Sequence, residues 1–162
     1  MKLKKYLFLL LAPLLLACET ASIDASTLDG TWQLTGVFLS DALDQPCSNG
    51  VTPNNKMTLT FDTANKKVNG TSSVNLLNGS FDFSIPSQTG EIGDISFNPL
   101  GSTKIGGSEE QLQCELRYFN MLQDAREFRI EQNGKVTTLH IGTLTVNGEN
   151  PRDGGTYLVF QK

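Results

Sequence analysis

Apolar and polar residues alternate over several short stretches of the chain, which is the pattern of β-strands that bury one face. The alternation is regular at 32–37 and 57–61. Further stretches with strand character lie at 81–85, 92–97, 127–131, 136–141, 144–146 and 157–160. The pattern predicts about eight antiparallel strands.

Asn-Gly pairs indicate the turns between these strands, because both central residues of a type I′ hairpin turn need positive φ. Asn133-Gly134 and Asn147-Gly148 each stand between two predicted strands, so we expect hairpins there. Asn69-Gly70 is compatible with a turn or with a β-bulge.

One helix is predicted among the strands. Ser108 and Gln111 have the spacing of a capping box, which marks a helix N-terminus. Apolar residues then recur at helical spacing, at Leu112, Leu116, Phe119 and Leu122. We expect a helix that ends near Asp124 and packs this stripe on the core, with Cys114 facing away from the core.

These elements predict a mainly β fold. We expect a small antiparallel barrel or strongly curled sheet of about eight strands, with one amphipathic α-helix covering an open side. Five phenylalanines are expected to point inward and fill a small barrel: Phe61, Phe81, Phe83, Phe97 and Phe160.

The N-terminal residues indicate export. Lysines in the first five residues precede an apolar run at 6–16, which is typical of a secretory signal peptide and too short to span a bilayer comfortably. Leu-Leu-Ala-Cys at 15–18 resembles a bacterial lipobox, which implies cleavage before Cys18 and lipid on that residue. The alternative is an ordinary signal peptide followed by a coincidental cysteine.

The chain is therefore divided into a lipoprotein signal peptide at 1–17, a flexible tether at 18–27 and one domain at 28–162. The tether contains too little apolar surface to build a core. Glu19 is not the aspartate that retains lipoproteins at the inner membrane of enteric bacteria. We expect a protein of the cell envelope, with the outer membrane favoured.

Charge limits the partners. The chain has 13 basic and 17 acidic residues, and removal of the signal peptide takes away three lysines, which leaves 10 − 17 = −7. Such a chain is not expected to bind nucleic acid or anionic lipid through basic clusters. The lipid on Cys18 is the expected link to the membrane, and we expect a monomer.

Two cysteines remain once Cys18 carries lipid. Cys47 and Cys114 form an even pair in an oxidising setting, which favours a disulfide over two free thiols, one of them reactive. Two cysteines and one distant histidine lack the number and spacing of metal ligands, so no metal site is expected.

Recognisable catalytic motifs are missing from the sequence. His140 is the only histidine, and strand alternation places it opposite Leu139 and Ile141, as a solvent-facing residue rather than a general base. No Gly-x-Ser-x-Gly turn presents a nucleophile. We expect no enzymatic activity and no cofactor.

Gly30-Thr31-Trp32 resembles the opening signature of lipocalin-like barrels, in which the tryptophan closes one end of the barrel. Trp32 is therefore expected to be a packing residue of the core. Arg126 and Arg129 are the candidates for a cation–π contact with the Trp32 ring.

A wider resemblance covers most of the domain. The stretch 70–75 with Gly79 and Phe81 resembles one block of the META domain family of HslJ-like bacterial lipoproteins, and 102–122 keeps the spacing of a second block. Both cysteines of the family pattern are replaced here, by Val74 and Gly107. Their joint loss is what we expect if the two family cysteines form a disulfide with each other. Roles that depend on those cysteines are not expected here.

The resemblance implies structural roles for six residues: Trp32, Gly70, Asn75, Gly79, Thr103 and Glu115. We expect Glu115 to lean inward and pair with Arg126 or a backbone donor, rather than line a pocket. We expect Asn75 to bond its own backbone in a turn or bulge, rather than bind a ligand.

The family resemblance implies links to stress tolerance, antibiotic resistance or secretion, without a defined reaction. We expect a lipid-anchored envelope protein with a non-catalytic domain that acts as a binding or scaffolding module, with an envelope protein as its partner. The alternative is a lipocalin-like carrier of a small apolar ligand, although inward phenylalanines would leave it little room.

Overall fold

The computed structural model describes residues 23–39, 47, 56–144 and 155–162, and the backbone of 42–44. The signal peptide, Cys18 and the Asn147-Gly148 pair lie outside these residues. The helices are α1 (Ala25–Leu28) and α2 (Glu109–Asp124). The strands are β1 (Gly30–Leu39), β2 (Ala42–Asp44), β3 (Thr58–Asp62), β4 (Lys67–Thr71), β5 (Leu76–Phe83), β6 (Ile92–Phe97), β7 (Gly101–Ser102), β8 (Glu127–Asn133), β9 (Val136–Thr143) and β10 (Thr156–Gln161).

Eight strands close into an antiparallel barrel, in the order β1, β3, β4, β5, β6, β8, β9 and β10. The barrel closes at β1, which pairs with β3 on one edge and with β10 on the other. Strand β2 pairs with the end of β1, and β7 pairs with β5. The predicted mainly β barrel is confirmed.

Connections alternate between the two ends of the barrel because neighbouring strands are antiparallel. Helix α1, the β3–β4 turn, the β5–β6 loop and the β8–β9 hairpin lie at one end, which we call the α1 end. The β4–β5 turn and α2 lie at the other, the α2 end. Helix α2 crosses this second mouth, because its first turn accepts a hydrogen bond from Ser73 after β4 and its C-terminus leads into β8.

Aromatic side chains fill the barrel interior, as the sequence predicts. Trp32, Phe81, Phe128 and Phe160 are each at most 1% exposed. Phe81 contacts three further rings at centroid distances of 4.9 to 6.4 Å. These partners are Phe61, Phe83 and Phe97, of which the last two are partly buried at the edge of the core.

Strand β4 is missing from the sequence prediction because Val68 is its only buried residue. Asn69 and Gly70 pair in regular register with both β3 and β5, so the structure has no bulge there. Strand β9 ends at Thr143, so the strand predicted at 144–146 is not seen at Leu144, and its other residues lie outside the described part of the chain.

The β8–β9 hairpin is confirmed with a different turn. Asn133 pairs with Val136, so the two-residue loop is Gly134-Lys135. Gly134 has a φ of +64°, and Lys135 is not among the residues with positive φ. Glycine in positive φ at the first loop position alone indicates a type II′ turn, instead of the type I′ turn predicted from Asn-Gly.

Helix α2 has the predicted capping box and C-terminal boundary, but a different face is buried. The buried residues are Cys114, Glu115, Tyr118 and Leu122. Leu112 and Leu116 are 42% and 54% exposed, so the predicted core stripe was wrong for its first half. Cys114 faces the core instead of solvent.

The disulfide between Cys47 and Cys114 is present, with the two Cα atoms 5.4 Å apart. Cys114 is 5% exposed, and its Sγ lies 3.9 Å from Sδ of Met57. The bond thus ties α2 to the chain between β2 and β3 from the buried side. In the chain-entropy account, closing a loop of this length stabilises the fold by about 4 kcal/mol.

The folded part of the chain begins earlier than the predicted boundary at residue 28. Ile23 is 8% exposed and belongs to the hydrophobic core, and Leu28 is 2% exposed. Asp24 caps α1 by accepting a hydrogen bond from the Thr27 N–H. Residues 23–27 therefore belong to the domain and not to the tether.

Candidate functional site

A cluster of hydrogen bonds joins the β4–β5 turn to α2 and to the segment before α2. At its centre, Asn75 Oδ1 accepts from Thr103 Oγ1 at 2.8 Å and from the Ile105 N–H at 2.7 Å. Asn75 Nδ2 donates to Glu115 Oε1 at 2.8 Å and to the Ile105 carbonyl at 3.2 Å. The amide uses its full bonding capacity. We call Ser72, Asn75, Thr103, Glu115 and the Ile105 backbone the Asn75–Glu115 clasp.

Glu115 is a carboxylate in the core, with an exposed fraction of 9%. Its Oε2 accepts from the Asn75 N–H at 3.1 Å and from the Ser72 hydroxyl. Burial of a carboxylate is costly unless donors replace water, and bonds to a charged acceptor are the stronger kind. The clasp therefore offsets the desolvation of Glu115 and holds α2 in its observed rotation.

Two expectations for these residues are corrected. Glu115 leans inward onto a backbone donor as predicted, but Arg126 is not its partner. Arg126 Nη1 donates to the carbonyls of Gln123 and Ala125 at 3.0 and 2.8 Å. The Asn75 side chain does not bond its own backbone, since its partners are 28 to 40 residues away in sequence.

Thr103, Gly70 and Gly79 lie where neighbouring segments approach each other closely around the clasp. Thr103 Oγ1 accepts from the Leu76 N–H at 3.1 Å, so this hydroxyl links β5 to Asn75. A Cβ on Gly70 would overlap the Thr58 carbonyl of β3, and a Cβ on Gly79 would lie 2.7 Å from Leu100 Cδ2. At Gly70 the close neighbour is backbone, so only glycine fits there, whereas at Gly79 the Leu100 side chain would have to shift.

Val74 and Gly107, which replace the two family cysteines, are neighbours in space. An ideal Cβ on Gly107 would lie 2.7 Å from Val74 Cγ2. Side chains at these two positions would therefore touch each other. In this chain an apolar contact and the clasp join the same two segments.

Exposed apolar side chains lie on the segments that the clasp joins. Seven large apolar side chains are exposed in the described residues, and four of them belong to the segments that the clasp joins. These four are Leu76 (55%), Ile105 (58%), Leu112 (42%) and Leu116 (54%), and we call them the α2-end apolar surface. Hydrophobic periodicity missed this surface because it assigned Leu112 and Leu116 to the core.

Trp32 closes the α1 end and is fully buried, as expected. Its Nε1 donates to the Leu28 carbonyl at 2.7 Å. The cation over its ring is Lys162, with Nζ 4.2 Å from the ring centroid, and not Arg126 or Arg129. Lys162 Nζ also donates to the Asp29 carbonyl at 2.9 Å, so it locks the last strand to the segment after α1.

His140 lies on the outer face of β9, opposite Leu139 and Ile141, but is more covered than predicted. Its side chain is 12% exposed and stacks on Tyr157 at a centroid distance of 5.3 Å. Burial lowers the pKa of His140, and Glu131, with Oε2 3.8 Å from His140 Nε2, opposes that shift. The imidazole thus packs against neighbours on both adjacent strands, Glu131 of β8 and Tyr157 of β10.

The amide and the carboxylate of the clasp are bonded to the protein itself. A shallow depression of about 180 Å³ lies beside it, lined by Lys56 and 71–76. In the described residues, no group of three or more His, Cys, Asp or Glu side chains is placed to hold a metal ion. Neither described helix is long and apolar enough to cross a bilayer.

Comparisons with known proteins agree with this architecture. The solved NMR structure of a protein from Burkholderia xenovorans is similar, with a TM-score of 0.57 and 20% sequence identity over 89% of this chain and 94% of that chain. Likeness at this identity shows the fold alone. No curated protein matches the chain. The model of the META domain matches residues 25–156. The chain therefore belongs to the META domain family.

Proposed function

We propose that this protein is a lipid-anchored component of the cell envelope, with the outer membrane as its favoured location. Its META domain is a non-catalytic module that binds another envelope protein and contributes to envelope stress tolerance. The α2-end apolar surface is the observation that carries this proposal. Four apolar side chains that are 42% to 58% exposed on the segments that one buried polar cluster joins are typical of a protein contact surface.

The clasp prepares this surface for binding. Leu76 follows Asn75, and Leu116 follows Glu115, so hydrogen bonds hold the backbone on both sides of the surface. The Ile105 backbone is itself bonded to Asn75. A surface that is held before binding loses less conformational entropy when a partner docks.

Crosslinking in intact cells tests the binding site. A photoreactive amino acid at Leu116 is expected to give a discrete adduct with one envelope protein. The same group at Asn69, which is exposed on the barrel wall, is the matched control. The adduct should disappear when Leu112 is changed to Asp in the same chain. Equal labelling from Leu116 and Asn69, or an adduct insensitive to Leu112→Asp, would refute the proposed site.

The lipid anchor is tested by the mass of the N-terminal peptide. A peptide that begins at Cys18 and carries acyl chains supports it. A mature chain that begins elsewhere, or an unmodified Cys18, would refute it without bearing on the apolar surface.

The packed interior argues against the lipocalin-like carrier. Twelve large side chains in the described residues are fully buried, and four of them are aromatic and occupy the barrel interior. A drug-sized ligand needs a cavity of about 300 Å³ or more. We therefore do not put the carrier forward as a second function.

A further inference from the structure

We propose that the α1 end of the barrel rests on the phospholipid surface that holds the anchor, and that the α2 end points away from it. This inference rests on the proposed lipid anchor at Cys18. Beyond the anchor, it specifies which surface of the domain contacts the bilayer and in which direction the α2-end apolar surface faces.

The first argument is the short distance between the anchor and the fold. Cys18 and Ile23 are five residues apart. An extended chain covers at most about 3.5 Å per residue, so their Cα atoms are no more than about 18 Å apart. Ile23 is 8% exposed and belongs to the core immediately before α1. The lipid therefore attaches close to the α1 end.

The second argument is the height of the barrel. Strand β9 has eight residues. With about 3.3 Å per residue and a tilt of about 40°, such a strand extends roughly 18 Å along the barrel axis. Helix α2 adds about 10 Å where it crosses the far mouth. The outer side of α2 is thus farther from the α1 end than the anchor reaches.

The third argument is the chemistry of the α1 end. Ile85 in the β5–β6 loop and Val136 at the β8–β9 hairpin are 43% and 44% exposed. Lys135, beside Val136, is exposed and forms no ion pair with the described residues. An apolar side chain next to a lysine suits the bilayer interface, because the ammonium group reaches the headgroups while the apolar part lies deeper.

The acidic residues of this end, which include Asp24, Asp29, Asp62 and Glu91, decide which headgroups fit. Asp29 accepts from the Thr63 N–H at 2.7 Å, and Glu91 accepts from the Ser87 hydroxyl at 2.9 Å. These bonds point both carboxylates at the protein, but their negative charge remains. We therefore assign the contact to zwitterionic headgroups and not to strongly anionic ones.

Quenching of tryptophan by brominated lipid tests the orientation. The acylated mature chain is reconstituted into vesicles of phosphatidylcholine with brominated acyl chains. Val136→Trp and Leu116→Trp place a probe at opposite ends, at positions of similar exposure. The chain has one native tryptophan, so the parent protein supplies a common background. We expect Val136→Trp to be quenched at least twofold more than the parent, and Leu116→Trp to match the parent.

Two further variants keep the test decisive. Ile85→Trp repeats the α1-end probe in case Val136→Trp misfolds. Asn69→Trp would be quenched if the wall of the barrel, rather than its α1 end, contacts the bilayer. Stronger quenching at Leu116 or Asn69 than at the α1-end probes would overturn the proposal, as would α1-end probes that match the parent. An unacylated N-terminal peptide would instead refute the anchor itself, so the two failures are distinguishable.

Discussion

The side-chain nitrogen of Asn75 lies 2.8 Å from the Glu115 carboxylate, and this contact connects segments that are 40 residues apart in the chain. Both groups are buried, so each depends on the other to replace water. The contact sets the rotation of α2, and with it which apolar residues of the helix reach the core and which remain on the surface.

Asn75→Asp is expected to destabilise the domain strongly, by about 3 kcal/mol or more. It places a second carboxylate against Glu115 and removes the donor that Glu115 needs. Glu115→Gln is expected to cost about 1–3 kcal/mol, because its NH₂ group would face the Ser72 hydroxyl and the Asn75 N–H. Urea unfolding followed by Trp32 fluorescence measures both.

Glu109→Gln is the matched control for Glu115→Gln, because Glu109 lies on the exposed first turn of the same helix. It should change the free energy of unfolding by no more than about 0.5 kcal/mol. A similar loss in Glu109→Gln and Glu115→Gln would contradict a special role for the clasp.

Val74→Cys with Gly107→Cys is expected to form a second disulfide, because the two positions are already in contact. Closing this loop should stabilise the domain by up to about 4 kcal/mol. Thiol alkylation and mass spectrometry after refolding in air should find neither new cysteine free. Each single variant should retain a free thiol, and two alkylated thiols in the double variant would show that the geometry was misjudged.

Tyr118→Phe is expected to keep or raise the stability of the domain, whereas most core substitutions lower it. The Tyr118 hydroxyl is buried and has no hydrogen-bond partner among the described residues. Its burial alone raises the pKa of Tyr118 far above the usual value. Removing an unpaired buried hydroxyl should stabilise by up to about 1 kcal/mol. A loss above about 1 kcal/mol in urea unfolding would reveal a partner for that hydroxyl.

His140 is expected to make the domain less stable below neutral pH. Burial lowers the pKa of His140 below 6.5, so the unfolded chain binds more protons than the folded one between the two values. The free energy of unfolding is therefore highest above about pH 6.5 and falls as the pH drops through that value. Urea midpoints at pH 7.5 and 5.5 measure this decrease.

In His140→Gln the decrease between those two pH values should largely vanish. Carboxylates such as Asp62 and Asp82, whose pKa values are lowered from 3.8, stay ionised at both. The fall would have another origin if the variant lost as much stability as the parent between pH 7.5 and 5.5.

Fold class follows from local patterns in this chain, because alternation and the Ser108 capping box need only residues close in sequence. The burial of the tryptophan and the pairing of two cysteines in a disulfide were also predictable. The clasp was not, since Asn75 bonds residues 28 to 40 positions away. No local pattern contains such partners.

The primary sequence by itself determined that these residues form a small antiparallel barrel with a capped helix, since side-chain alternation and capping are properties of neighbouring residues. Tertiary structure alone decided how the helix is rotated. Periodicity placed Leu112 and Leu116 in the core, but the disulfide at Cys114 and the hydrogen bonds of Glu115 turn them to the surface. A covalent bond and a buried charge outweigh the burial of two leucines, and such partners meet only once the chain is folded.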